Sequence, residues 1–232
     1  MSLETQGATK IRSYSEISTK QIDWLWYPYI AYGKVTVIQG GPGVGKTTFA
    51  LNIAALLSKG GGHSECACES REPQNIIYQS AENGFADTIK PRLQSAGADC
   101  SRISFISDKY YPLTLDDERL EAAIRKCGAK LLVLDSLESF IGADADLRVL
   151  LKQLGRIAEG ADCAVVVIST NNITDVARNV IQVSRLRGNP EIRVISQPKN
   201  TLAPEGCPVA FELSETEGFR WIGSYDNWKL VQ

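Results

Sequence analysis

The 232-residue sequence predicts an α/β fold: a doubly wound, mostly parallel sheet flanked by helices, with antiparallel strands added at its C-terminal end. Three observations carry that prediction. The runs "KLLVLD" (130–135) and "CAVVVIS" (163–169) are continuously apolar, as strands buried on both faces of a parallel sheet must be. Between them, "DLRVLLKQLGRIAE" repeats Leu147, Leu150, Leu151, Leu154 and Ile157, one apolar stripe at helical spacing. After residue 179 the texture changes to short strand-like runs with turn signals between them.

Taken in order, residues 1–23 are polar and carry no period, and read as an arm or linker ahead of one domain spanning 24–232. The aromatic run "WLWYPYIAYGK" holds Trp24, Trp26, Tyr27, Tyr29 and Tyr32. Such a run can stack nucleic-acid bases; packing of the arm onto the sheet edge is the favoured reading. "KVTVIQ" is a strand that enters a glycine loop, and "GKTTFALNIAALLSKG" a helix that stops at glycine. "NIIYQS" and "ISFI" are strands, with the helix "FADTIKPRLQSAGA" between them made irregular at Pro91. "TLDDERLEAAIRKCG" is a helix, with Thr114 and Asp117 in capping-box-like spacing and Gly128 at its close. The alternation of strand and helix with buried central strands is what implies double winding. "VIQVSRL", "EIRVISQPK", "PVAFEL" and "FRWIG" form the antiparallel extension, with "NP" and "ETEG" as two of its turns.

Formal net charge is −2, so no global basic surplus demands a nucleic-acid partner, although a local patch could still bind one. No stretch approaches ~18 consecutive apolar residues, and no membrane span is expected. The polar N-terminus lacks the apolar core of a signal peptide, and a cytoplasmic location is the expectation. The six cysteines are irregularly spaced, so free thiols are expected. His63, Cys66 and Cys68 in "HSECACES" could be three zinc ligands, but a structural site takes four and no second knuckle follows. A surface loop is the plainer reading.

The chemistry concentrates at residues 40–48. Gly40-Gly41-Pro42-Gly43-Val44-Gly45-Lys46-Thr47 matches GxxxxGK[ST] in full, after a strand and before a helix. Gly41, Pro42, Gly43, Val44, Gly45, Lys46, Thr47 and Thr48 are therefore the expected nucleotide-binding residues. Glycines let backbone N–H groups curl around phosphate oxygens, and the helix N-terminus adds its positive end. Lys46 is expected to neutralise the β and γ phosphates of ATP, and the Thr47 hydroxyl to ligate Mg²⁺. Asp135, ending an apolar strand, is the expected second metal residue. Many ATPases of this kind place a glutamate directly after that aspartate to position water, but Ser136 stands there. Glu82, just past "NIIYQS", can approach the γ-phosphate side from the same sheet rim and is the expected general base.

These residues together resemble the RecA-like P-loop ATPase core, most closely the branch containing the plasmid RepA-type hexameric helicases. The resemblance rests on "PYIAYGKVTVIQGGPGVGKTT", "IIYQSAEN", "LTLDDERLEAAI", "LLVLDS" and "PKNTLAPEG", across residues 27 to about 223. It implies a homo-oligomeric ring or filament with ATP between subunits. Lys46, Thr47, Glu82 and Asp135 would form one half of the site. Lys199 matches the first basic position that relatives send into the neighbour's nucleotide. The second is Thr201 instead of Lys or Arg, and Ser169-Thr170 replaces a frequent Gly-His pair.

Relatives also carry two channel-facing loops that contact DNA. Here "SLESFIGADAD" has three acids and no Lys or Arg, and "STNNITDVA" is short and also lacks a base. Either efficient DNA coupling is lost, or the sequence lacks loop residues of the natural protein. The expected function is an ATP-hydrolysing RecA/RepA-like motor acting on single-stranded DNA in replication, repair or mobile-element maintenance. The alternative is a nucleotide-dependent assembly or regulatory ATPase without translocation. A small-molecule kinase is a weaker third reading, because no acceptor pocket or lid motif is evident.

Overall fold

A computed structural model of the chain describes residues 12–60, 72–81, 84–142, 145–214 and 216–225. Among them, nine strands form one sheet in the order β11-β10-β9-β8-β3-β7-β6-β4-β5, and a two-stranded hairpin, β1-β2, stands apart. Six neighbours are parallel: β8 (Asn179–Leu186), β3 (Val35–Gln39), β7 (Ala164–Ser169), β6 (Ala129–Asp135), β4 (Asn75–Ser80) and β5 (Ile103–Ser104). The antiparallel wing is β9 (Asn189–Asn200), β10 (Val209–Ser214) and β11 (Gly218–Ser224). The expected fold class is the observed one.

Each continuous apolar run lies where both sheet faces are covered. β7 is buried at all six positions, and β6 at all but Lys130. One face packs against α1 (Lys46–Ser58) and α2 (Lys90–Ser95), the other against α3 (Glu118–Cys127) and α4 (Leu147–Ala161). In α4, Leu150, Leu151 and Leu154 are buried, with Leu147 and Ile157 half-buried beside them. Asp146 caps this helix, its carboxylate accepting from the N–H of Arg148 and of Val149.

Four local expectations are corrected. Asp117, not Thr114, caps α3, accepting from the Arg119 N–H, while the Thr114 hydroxyl donates to Asp116. "ISFI" keeps only Ile103–Ser104 as strand, because it pairs with β4 alone at the sheet edge. The β8–β9 turn is Arg187–Gly188, and Asn189-Pro190 already belongs to β9. The irregularity expected at Pro91 falls before it: Phe85–Ile89 is a π-helical turn in which the Ile89 N–H reaches the Gly84 carbonyl at 3.0 Å.

The aromatic run packs on the sheet face that α1 covers, reaching the edge strand β11. Trp26 is buried against Phe49 of α1 and Trp221 of β11, Tyr29 is buried against Trp26, and Phe49 stacks on Phe211 of β10. β1 (Trp24–Trp26) and β2 (Ile30–Ala31) are also held by polar groups. Asn179 Nδ2 donates to the Tyr29 carbonyl at 2.7 Å, and Gln197 Nε2 and Asn200 Nδ2 both donate to the Pro28 carbonyl. A hairpin of two short strands has too little pairing to stand alone. These contacts supply what pairing cannot. No described helix is long and apolar enough to cross a membrane.

Candidate functional site

Parallel winding brings the phosphate loop, at the end of β3, and Asp135, at the end of β6, to one rim. The pairing register sets Gln39 opposite Ser169, Ile168 opposite Asp135, and Asp135 opposite Ser80. Adjacent strands are ~4.8 Å apart, so Asp135, two strands from the end of β3, lies roughly 10 Å across the rim. Glu82 is two residues beyond Ser80 and lies outside the described residues, as do His63, Cys66 and Cys68. Among the described residues no group of acids, histidines and cysteines is arranged to hold a metal on its own.

Three residues of the loop, Gly40, Gly43 and Gly45, take a positive φ that glycine accepts without strain. Gly40 has φ +152°, and a Cβ there would sit 2.4 Å from the Val183 carbonyl of β8. Gly45, at φ +100°, turns the chain into α1. Lys46 is buried, and its ammonium donates to the Gly40 carbonyl at 2.7 Å and the Gly41 carbonyl at 2.9 Å. It thus lies over the loop whose N–H groups would face phosphate. Thr47 and Thr48, half-buried, follow on the first turn of α1, while Gly41, Pro42 and Gly43 are exposed and Val44 half-buried.

Asp135 is buried, and Tyr78 of β4 donates its hydroxyl to Asp135 Oδ2 at 2.9 Å. Burial first, and then the neighbouring carboxylate, pushes the Tyr78 hydroxyl well above its ordinary pKa, so Tyr78 stays a donor. The aspartate is thereby oriented before any ligand arrives. Lys199 lies on β9 opposite Val180, and its ammonium donates to the Thr174 carbonyl at 2.7 Å. No described contact joins it to the phosphate loop of its own chain.

Several site residues escaped the sequence reading. Glu138 Oε1 accepts from the Ser169 hydroxyl at 2.6 Å, the Thr170 N–H at 3.0 Å and the Asn171 N–H and side-chain amide at 3.3 and 3.2 Å. Burial acts to raise its pKa, but these donors outweigh burial and hold the carboxyl below its ordinary value. Oε2 is buried with no hydrogen-bond partner among the described residues. Gln39 joins β3 to the other loop: it donates to Thr174 and Gln182 and accepts from the Ile173 N–H. Arg185 and Arg193 face one another across the β8–β9 pair. Arg185 donates to the Gly43 carbonyl at 2.8 Å, and Arg193 to the Val44 carbonyl at 3.0 Å and to that of Pro190. A glutamate three residues past Asp135 was a readable signal for Glu138. Nothing local marked the arginines, because their partner lies about 150 positions earlier in the chain.

The fold and this rim define a P-loop nucleotide-binding protein of the RecA-like class. A family profile described as an AAA domain matches residues 3–169, and the chain belongs to that family of RecA-like P-loop ATPases. It is also similar to proteins named DNA repair protein RadA. The one from Halalkalibacterium halodurans is 24% identical over 176 residues, covering 70% of this chain and 34% of the relative. The one from Helicobacter pylori strain J99 is 24% identical over 204 residues, covering 80% of this chain and 41% of the relative. The chain therefore spans only about a third to two fifths of the length of these relatives.

Proposed function

We propose that this chain binds and hydrolyses ATP and couples the cycle to single-stranded DNA in repair, replication or mobile-element maintenance. The observation that carries the nucleotide part is the Gly40–Thr48 loop with Lys46 folded over it, on one rim with a buried, oriented Asp135. Support for the DNA part comes from the relatives, which are named for DNA repair.

Backbone N–H groups of Gly41 and of Gly43 to Thr48 hold the phosphate oxygens, Pro42 having none to give. Lys46 exchanges its two carbonyl partners for β- and γ-phosphate oxygens and offsets charge that develops in transfer. The Thr47 hydroxyl and the Asp135 carboxylate are hard oxygen donors that fit Mg²⁺, with Asp135 acting through water. When bound, the ion would neutralise charge on the phosphates. Glu82 accepts a proton from the attacking water, which enters in line with the departing diphosphate. Lys199 serves the nucleotide of the next subunit in a homo-oligomer.

A second reading is a nucleotide-dependent assembly module without translocation. Glu138 favours it: one carboxylate binds Ser169, Thr170 and Asn171, tying together the two rim loops that carry DNA contacts in relatives.

Steady-state ATP hydrolysis at low salt, with and without single-stranded DNA, separates the readings. Stimulation by DNA that vanishes in Glu82→Gln supports the motor. Tight Mg-ATP binding with no stimulation sinks it and leaves the assembly module. Intact mass of the natural protein checks the loop lengths.

A further inference from the structure

A groove of about 430 Å³ runs along α4, between that helix and the crossover that enters β8. Its floor is apolar, with Val35 and Val37 of β3, Leu151 of α4 and Val176. Its walls carry Lys34, Arg148, Lys152, Arg156 and Arg178 against the single carboxylate of Glu159. Lys34 and Glu159 neutralise each other at 3.5 Å. Among the described residues, the side chains of the other four cations take part in no ion pair or hydrogen bond. Four unpaired cations in one groove are out of keeping with a chain of net charge −2.

Arg148, Lys152 and Arg156 recur every fourth residue, so they line one flank of α4 with a step of ~6 Å. A compact anion would call for cations that converge on a point. These run in a row, which suits a ligand whose charges are also evenly spaced along a line. The apolar floor beneath them suits sugar and base. We propose that this groove binds the backbone of single-stranded nucleic acid, with phosphates on Arg148, Lys152, Arg156 and Arg178. The two rim loops without a basic residue are then not the main contact. The inference rests on the strand-binding part of the proposed function and is independent of the ATP chemistry. Gly155, also in the groove wall, leaves open space where a Cβ would stand.

The test is fluorescence anisotropy of a labelled oligo(dT) strand over a series of salt concentrations. It uses the wild type, the triple variant R148Q/K152Q/R156Q, and Gly155→Trp, which fills the groove without changing charge. The three cations are exposed, so the triple variant is expected to fold. Its affinity at low salt should fall at least ~10-fold, and its salt slope by about 2, at ~0.7 per lost phosphate contact. Gly155→Trp should weaken binding while the charge is intact. Molar mass and DNA-free hydrolysis should stay at wild-type values in both.

Three results would overturn the proposal. If the wild type binds the strand and both variants match its affinity and slope, the groove is not the site, and the motor reading survives. If the variants keep their DNA affinity but change molar mass, the groove is a contact for an acidic surface of a second copy. If the wild type binds no strand at any salt, the DNA part of the function falls with the groove, and ATP hydrolysis stands by itself.

Discussion

Gly40 shows how far one residue decides the site. Alanine there would need a backbone angle that side chains rarely adopt and would press on the β8 carbonyl of Val183. Gly40→Ala should therefore displace the loop and abolish nucleotide binding, while a rigid strand absorbs none of the strain. Titration calorimetry with ATP checks this. Glu138 carries a second prediction at the same scale. Its folded pKa lies below the ordinary 4.5, held there against burial by the donors of residues 169–171. A depressed carboxyl adds stability that is fully present above the unfolded value and is lost as pH falls through the folded one. Thermal midpoints should drop as pH falls below about 4.5, and the drop should be smaller in Glu138→Gln. An equal drop in both proteins would assign the loss to other carboxylates.

At the scale of elements, the β8–β9 hairpin does more than extend the sheet. Two arginines placed directly opposite each other repel, and burial adds to the cost for Arg193. The arrangement holds because both reach carbonyls of the phosphate loop at Gly43 and Val44. Arg193→Leu relieves the repulsion but leaves carbonyls with one donor fewer, at a cost of about 1–3 kcal/mol. If the arginine serves to fix the loop, the ATP dissociation constant should rise by about 10-fold, or ~1.4 kcal/mol. An unchanged constant in calorimetry would reduce Arg193 to a fold-stabilising role. The loop after β6 is a parallel case. Its acids count against DNA when read as charge, yet Glu138 fastens the end of β7 and Asp146 caps α4.

At the scale of the whole molecule, Lys199 has no catalytic neighbour among the described residues of its own chain. It rests on the Thr174 carbonyl on a strand separated from the loop strand by β8. If nucleotide sits between copies, Lys46→Ala and Lys199→Ala should each be inactive alone. Mixed in equal amounts, they should regain about a quarter of wild-type turnover, since in a head-to-tail assembly about one interface in four pairs an intact Lys46 with an intact Lys199. A mixture as inactive as its parts would place Lys199 outside the neighbour's site.

What the sequence by itself determined is local or periodic. Buried parallel strands announce themselves as unbroken apolar runs, the α4 stripe follows from helical spacing, and the phosphate loop is contiguous in the chain. Each of these is a property of a short window, so no distant partner was needed to read it. Only tertiary structure decided the rest. Tyr78 meets Asp135 across 57 positions, Arg193 meets Val44 across 149, and Glu138 meets residues 169–171 across 31 to 33. The basic groove is of the same kind. A net charge of −2 hid it, because charge sums over the chain whereas binding depends on which cations the fold leaves side by side and unpaired.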